Sequence, residues 1–305
     1  MELPTTAVLT LDHLNAWPST GAALAVLGHP IKHSISPAIH NAALAELARS
    51  EEDFLAWKYY RFDVPPEQLS LALTRLHAAG FHGLNLTVPH KILAMEMVKE
   101  IDPAALRIGA VNTLLRTREG WRGYNTDGHG LACALRDELQ VSLSGAQVIL
   151  LGAGGAARGA AVECLTQGCA SLWIGNRTRR NLDALLALLR PLAGEVPIQG
   201  FDPIDPPAGL PAGAVVINAT SAGLKPEDSA PIDLRRLPPG LKVFDMIYNP
   251  PQTPLLRQAA ALGLAQANGL AMLVHQGARS LEIWTGRPAP LSTMQTAAKN
   301  ALSSH

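Results

Sequence analysis

Between Gly83 and Lys91 the chain reads Gly-Leu-Asn85-Leu-Thr87-Val-Pro-His-Lys91, a strand-like run with polar side chains at alternate positions and a proline at its end. Alternation puts Asn85 and Thr87 on one face of a strand, with Lys91 one short turn beyond. The carboxyl end of a strand is where open α/β sheets bind ligands. A lysine there can give or take a proton when partial burial or nearby cations lower its pKa. Asn112, in Gly109-Ala-Val-Asn-Thr113, and Asp127, in Asn125-Thr-Asp-Gly128, add an amide and a carboxylate. Each has a plainer reading alone: Lys91 as a solvated helix residue, Asn112 as a turn former, Asp127 as a helix cap.

A second group of residues could hold a dinucleotide. Gly152-Ala153-Gly154-Gly155-Ala156-Ala157 follows the apolar run Gln147–Leu151 and opens a helix-like stretch to about Thr166. The pattern Gly-x-Gly-x-x-Ala therefore has the strand–turn–helix setting that makes it informative. Gly152 permits the tight turn, Gly154 lets backbone approach a pyrophosphate, and Ala157 keeps the helix close to the sheet, while the helix N-terminus supplies N–H donors. A ligand-free glycine turn or an S-adenosylmethionine site would share some of these features. An NAD enzyme places Asp or Glu about 20 residues further on, against the ribose 2′-hydroxyl. This chain instead has Asn176-Arg177-Thr178-Arg179-Arg180, starting 24 positions after Gly152. Arginine forks bind phosphate through charge-assisted, often bidentate bonds. Basic charge at a helix start otherwise opposes the helix dipole. The expected cofactor is NADP(H).

These residues need elements to position them. Ala22–Leu27 reads as a buried strand closed by Gly28-His-Pro30, and Ser36 caps a helix that opens at Pro37 and runs through Ala48. Tyr59–Val64 and Gly83–Val88 read as further strands, separated by a helix from Pro65 to Ala79 that Gly80 stops. After Asp127 a second block has strands at Gln147–Leu151, Ser171–Ile174, Ala214–Ile217 and Lys242–Asp245, with connectors at Asp202–Pro211 and Gly223–Pro231. From Gly269 the chain turns helical over Leu270–Trp284, and a short helix ends it. Such alternation implies an α/β fold with mostly parallel sheets and crossover helices. Residues 1–21, with Pro4 and Pro18, read as an appended, frayed segment.

Composition bounds the function. Lys+Arg and Asp+Glu each total 25 among 305 residues, a balance that argues against nucleic acid or an anionic membrane as the main partner. The longest uncharged stretch, Gln258–Ala278, contains Gln258, Gln266, Asn268, His275 and Gln276 and is too polar to span a membrane. No basic residue precedes Lys32, so a secretory or transit leader is not expected. Cys133, Cys164 and Cys169 form no Cys-x-x-Cys, which fits a reducing cytoplasm. His29 and His33 are spaced like metal ligands, but Pro30 breaks helical presentation, and no metal is expected.

Taken together, nine segments resemble the shikimate dehydrogenase family in type and order. They are His33-Ser34-Ile-Ser36-Pro37, Asn85–Lys91, Gly109–Thr113, Asn125–Gly128, Gly152–Ala156, Asn176–Thr178, Asn218–Gly223, Asp245–Tyr248 and Gly269–Gln276. The resemblance runs from about Ala22 to the C-terminus. It implies two α/β domains: an N-terminal three-layer substrate domain of residues 1–128 plus 269–305, and a Rossmann-type NADP-binding domain of 129–268. The C-terminal helices would return to the first domain, with a cleft between the two. It implies that Ser34 and Ser36 bond the substrate carboxylate, that Asn85, Thr87, Asn112, Asp127 and Gln276 hold ring hydroxyls, and that Tyr248 lines the substrate edge. Lys91 would be the catalytic lysine with Asp127 as its partner. NADP would contact Gly152, Ala153, Gly154, Gly155, Ala156, Asn176, Arg177, Thr178, Arg180, Thr220, Met246, Gly269 and Met272. Asn181 stands where the family often has a basic residue, so Arg179 or Arg180 must substitute.

The activity so implied is reversible reduction of 3-dehydroshikimate by NADPH, in the pathway to chorismate and the aromatic amino acids, by a cytoplasmic monomer or homodimer. Three rivals remain: a quinate/shikimate dehydrogenase, a relative acting on an amino-substituted analogue, and an NADP-binding regulatory module without turnover. Retention of Lys91 and Asp127 counts against the last.

Overall fold

The computed structural model describes residues 4–17 and 21–303. The chain forms two compact units, one from residues up to Thr126 together with those from Gln276 on, the other from Asp127–His275.

The first unit is built on seven strands: β1 (Val8–Leu9), β2 (Ala23–Gly28), β3 (Lys58–Asp63), β4 (Gly83–Leu86), β5 (Glu100–Ile101), β6 (Thr113–Arg116) and β7 (Trp121–Tyr124), in the order β1-β3-β2-β4-β6-β7-β5. The helices between them are α1 (Ser36–Leu47), α2 (Leu69–Ala78), α3 (His90–Leu93) and α4 (Pro103–Ile108). All six residues of β2 are buried, as expected of a central parallel strand covered on both faces. The sheet is parallel through β1, β3, β2 and β4, but β6 and β7 form an antiparallel hairpin beside β4. The sequence reading did not include that hairpin. Its turn, Thr117–Gly120, lies among charged residues that mask the alternation of the short strands.

Two expectations are corrected. Residues 4–17 are not a frayed appendage: β1 pairs with β3, and a 3-10 turn follows at Leu11–Ala16. Leu9 and Leu11 are buried in the same core as Phe62 and Phe81. Trp17 closes the segment, its ring 5.1 Å from Tyr60 edge-on and 4.7 Å from Phe81. Polar composition hid this because the anchors are only three apolar side chains and a two-residue strand. Residues 1–3 and 18–20 of that segment lie outside the described residues. The second correction concerns α1, whose N-cap is Ile35, not Ser36, with no side-chain cap bond.

The second unit begins with α5 (Asp127–Leu139) and continues as β8 (Gln147–Leu151), α6 (Gly155–Thr166), β9 (Ser171–Gly175), α7 (Arg179–Leu189), β10 (Ile198–Phe201), β11 (Val215–Asn218), β12 (Lys242–Asp245), α8 (Pro254–Ala261) and β13 (Ala265–Asn268). Its six strands are parallel, in the doubly wound order β10-β9-β8-β11-β12-β13. The boundary between units falls inside α9 (Leu270–Thr285), and α10 (Leu291–Ser303) packs along α1. Within the first unit, Trp284 of α9 donates its indole N–H to Leu114 O at 2.9 Å. A Cβ on Gly83 would come within 2.2 Å of that indole nitrogen, so β4 must begin with glycine there. Among the described residues no helix is long and apolar enough to cross a membrane.

The packing of the first segment can be measured. Trp17→Ala should lower stability by about 2–4 kcal/mol, somewhat less than the roughly 3–5 kcal/mol of a fully buried aromatic because Trp17 is only partly buried. Urea unfolding monitored by circular dichroism reads this, and a loss below about 0.5 kcal/mol, the range of ordinary surface changes, would show that the segment adds nothing to the core.

Candidate active site

In the first unit the polar residues converge on a buried amide. Asn85, near the end of β4 and 6% exposed, accepts from Tyr59 Oη at 2.8 Å. Its Nδ2 lies within donating distance of Asn112 O (3.1 Å), Thr113 Oγ1 (3.1 Å) and Ser280 Oγ (3.0 Å). Both N–H bonds of this amide already have protein acceptors. Asn85 therefore ties β3, β6 and α9 together at the place where the resemblance expects a ring hydroxyl to be held. Asn112 Oδ1 accepts from the Thr126 main-chain N–H at 2.9 Å, which fixes the amide's orientation, and Nδ2 faces Thr126 Oγ1 at 3.0 Å and Gln276 Oε1 at 3.4 Å. Ser280, one helical turn after Gln276, donates to Gln276 O at 3.0 Å and lies 2.8 Å from Thr113 Oγ1. Asn112 and Gln276 are thus brought together, held by Asn85, Thr113, Thr126 and Ser280.

Lys91 sits half-buried in α3, directly after β4, and its carbonyl accepts from Val111 N at 2.9 Å. The strand ends at Leu86, so Thr87 lies just past it, its N–H bonded to Leu27 O at 2.9 Å. Gly28 is required opposite, because a Cβ there would meet the Thr87 methyl at 2.4 Å. His90, fully buried, donates Nε2–H to Val64 O at 2.8 Å, and burial lowers its pKa. It anchors the segment that carries Lys91. Ser34 ends a turn from Ile31, and its Oγ lies 3.4 Å from the Ser36 N–H at the start of α1. Pro37 has no N–H and the Ala38 and Ile39 N–H groups bond Ile35 O at 3.1 and 3.3 Å, so the donors this helix start offers an anion are the two serine hydroxyls, beside the positive end of the helix dipole. His29 bonds Asp63 at 2.7 Å.

In the second unit Asp127 is the first residue of α5. Gly152 ends the β8 turn with φ +115°, and a Cβ would sit 3.0 Å from Ala219 O. A Cβ on Gly154 or Gly155 would meet nothing within 4 Å, so the backbone around the N-terminus of α6 is open to approach beside Ala153 and Ala156. Asn176 Nδ2 donates to Thr178 O at 2.9 Å, and Thr178 is the N-cap residue of α7. Arg179 pairs with Asp183 at 2.9 Å. Arg177 and Arg180 are exposed and, among the described residues, pair with no carboxylate. Asn218, at the end of β11, binds the Thr220 hydroxyl at 2.7 Å and Asp245 at 3.0 Å. Gly269 packs so closely that a Cβ would lie 2.0 Å from Met246 O. Tyr248 is half-buried, which raises its pKa, and Met272 is half-buried in the first turn of α9.

A doubly wound unit with a glycine turn and unpaired arginines at its second strand, in one chain with a unit whose strand ends carry a lysine and oriented amides, is the make-up of a nicotinamide-dependent dehydrogenase. Residues 26–114 match the family model described as the shikimate dehydrogenase substrate binding domain, and 269–299 match the shikimate 5′-dehydrogenase C-terminal domain. The shikimate dehydrogenase (NADP(+)) of Symbiobacterium thermophilum is 42% identical over 288 residues, 92% of this chain and 95% of that protein. The crystal structure of shikimate 5-dehydrogenase from Thermus thermophilus, in complex with NADP(H) and shikimate, is 35% identical with a TM-score of 0.79, covering 92% of this chain and 99% of that one. The ligand-free 5-ketofructose reductase of Gluconobacter sp. strain CHM43 is 32% identical with a TM-score of 0.81, over 92% and 98%. The chain belongs to the shikimate dehydrogenase family.

Sequence reasoning missed Ser280, Tyr59 and Asp245. Asp245 is fully buried, accepts from Asn218, Thr253 Oγ1 (2.6 Å) and Ile247 N (3.0 Å), and burial raises its pKa. Its place at the end of a strand in Asp245-Met-Ile-Tyr248 was the available signal. His40 of α1 is also buried, stacked on Tyr59 at 4.2 Å, and burial pushes its imidazole down to about 3. The folded chain therefore keeps His40 neutral while the unfolded chain protonates it below about pH 6.5. Stability should fall as pH drops through that window, by about 1.4 kcal/mol per pH unit for this one group. His40→Phe, which keeps a ring over Tyr59, should flatten the dependence of urea stability on pH by that amount. An unchanged slope would assign the acid sensitivity to other groups.

Proposed function

We propose that the protein catalyses the reversible NADPH-dependent reduction of 3-dehydroshikimate to shikimate, with Lys91 as the proton donor and acceptor. The observation that carries this reading is the make-up of the first unit's strand ends: Lys91 after β4, Asn112 and Gln276 oriented by main-chain and hydroxyl partners, and Ser34 with Ser36 at the uncapped start of α1. A carboxylate suits the serine pair and the helix dipole, and hydroxyls suit the amides. The fold alone does not choose the substrate, since the 5-ketofructose reductase shares it. A keto sugar lacks the carboxylate that Ser34 and Ser36 would bond.

The second unit fits NADP(H). Gly152 allows the turn, the open backbone at Gly154 and Gly155 allows close approach, and Arg177 and Arg180 offer guanidiniums that no side chain of this protein neutralises among the described residues. Arg179 is held by Asp183, so Arg180 takes the place that Asn181 vacates in the family pattern. Thr220, Met246, Gly269 and Met272 complete the cofactor-binding set. When bound, NADPH supplies the hydride. As the substrate C3 carbonyl gains negative charge, Lys91 donates a proton to that oxygen; in the oxidation it accepts one from the hydroxyl. Asp127 orients the ammonium and holds a ring hydroxyl, and Tyr248 lines the substrate edge. Three buried, free cysteines accord with a cytoplasmic setting.

The direct test is a nicotinamide absorbance assay with shikimate, quinate and a neutral keto sugar, each against NADP and NAD. Turnover of shikimate with NADP should dominate; preference for the keto sugar would overturn the reading. Lys91→Ala should lower kcat by a factor on the order of 100 or more with little change in substrate KM. An unchanged kcat in the folded variant removes Lys91 from the chemistry. Arg177→Ala and Arg180→Ala should each weaken NADP by about 10- to 100-fold and leave NAD nearly unaffected, since each charge-assisted bond contributes roughly 1.5–3 kcal/mol. The ratio of kcat/KM for NADP over NAD measures this, and a ratio equal to the parent's in both variants would place the 2′-phosphate elsewhere.

A further inference from the structure

Arg61 lies on β3 between Val8 of β1 and Val26 of β2. Its guanidinium bonds no carboxylate among the described residues, although Asp63, two residues along the same strand, bonds His29. Instead one terminal nitrogen donates to the carbonyls of Lys32 at 2.8 Å and Ser34 at 3.1 Å, and the other donates to the carbonyl of Thr6. Ser34 is therefore held from two sides, by its own N–H to Ile31 O at 3.0 Å and by Arg61 at its carbonyl. The planar fork lets one side chain span both segments, which a single ammonium could not do. Thr6 precedes residue 26, where the matched substrate binding domain begins.

We infer that Arg61 is a positioning residue for the substrate carboxylate, bracing the Ile31–Ser36 turn against the N-terminal segment so that the Ser34 and Ser36 hydroxyls stay aimed at an anion. The inference rests on the reading that these serines take a carboxylate. Carbonyl dipoles solvate the guanidinium without cancelling its charge, so the brace also leaves a net positive charge in the turn that an anionic ligand would neutralise. The N-terminal segment thereby gains a role in substrate binding beyond its share of the core.

The experiment measures KM for shikimate, for shikimate methyl ester and for NADP in the parent, in Arg61→Met and Arg61→Lys, and in a chain starting at Ala7, which keeps β1 but lacks the Thr6 carbonyl. In Arg61→Met the KM for shikimate should rise roughly tenfold, while kcat and the KM for NADP stay within about twofold, because binding in ground and transition states is lost equally. The relative rise for the uncharged ester should be much smaller. Arg61→Lys and the shortened chain should shift the shikimate KM the same way by a few-fold, which keeps the test open if Arg61→Met does not fold. A shikimate KM unchanged in the folded variants, or an equal rise for acid and ester, overturns the inference and leaves the proposed activity standing. A parent that does not turn over shikimate overturns both.

Discussion

The first unit depends on how one buried amide is satisfied. Burying an unpaired amide is costly, so Asn85 can sit beneath the sheet's polar end only because a phenol, a main-chain carbonyl and two hydroxyls surround it. Those partners come from β3, from the segment entering β6 and from α9. Satisfying one side chain therefore sets the mutual positions of three parts of the unit. The orientations are not interchangeable: the carbonyl of Asn112 accepts from Asn85, and the N–H of Thr126 donates to Asn112, so neither amide can flip without opposing like groups. Gln276 inherits its orientation from the same cluster.

The second unit solves a related problem with a carboxylate. Asp245 ends β12 as Asn218 ends β11, and the two side chains meet across the parallel pair. Three donors hold Asp245 in place without a cation, which is why burial still raises its pKa. The loops after these strands carry Thr220 and Met246, so the segments expected to meet the cofactor hang from a buried polar pair.

Much of this was legible in the sequence because type and spacing carry physical meaning. The glycine turn after β8, the arginines after β9 and the run ending at Lys91 each follow a buried strand, and short apolar runs bounded by turn residues identify such strands. The roles of Ser280 and Tyr59 were not legible. A serine inside an amphipathic helix and a tyrosine in a strand look ordinary until the chain brings them to Asn85 over long separations. The hairpin β6–β7 and strands β10 and β13 were also missed, being short and flanked by charged or alanine-rich sequence. Residues 1–21 read as a tail because a two-residue strand has no period to detect.

The division of the chain gives the order in which this enzyme can assemble. Asp127–His275 is continuous, whereas the first unit needs residues from both sides of it. Asn85 and Ser280 are 195 positions apart, so the amide waits for its last partner until the whole of the second unit has been made. On a ribosome, the second unit has its full sequence available while the first still lacks most of α9 and all of α10. A nascent chain therefore cannot complete the cluster around Asn85 before Ser280 is made, and chains cut short by a stop anywhere up to codon 280 are left with a polar core that lacks this hydroxyl.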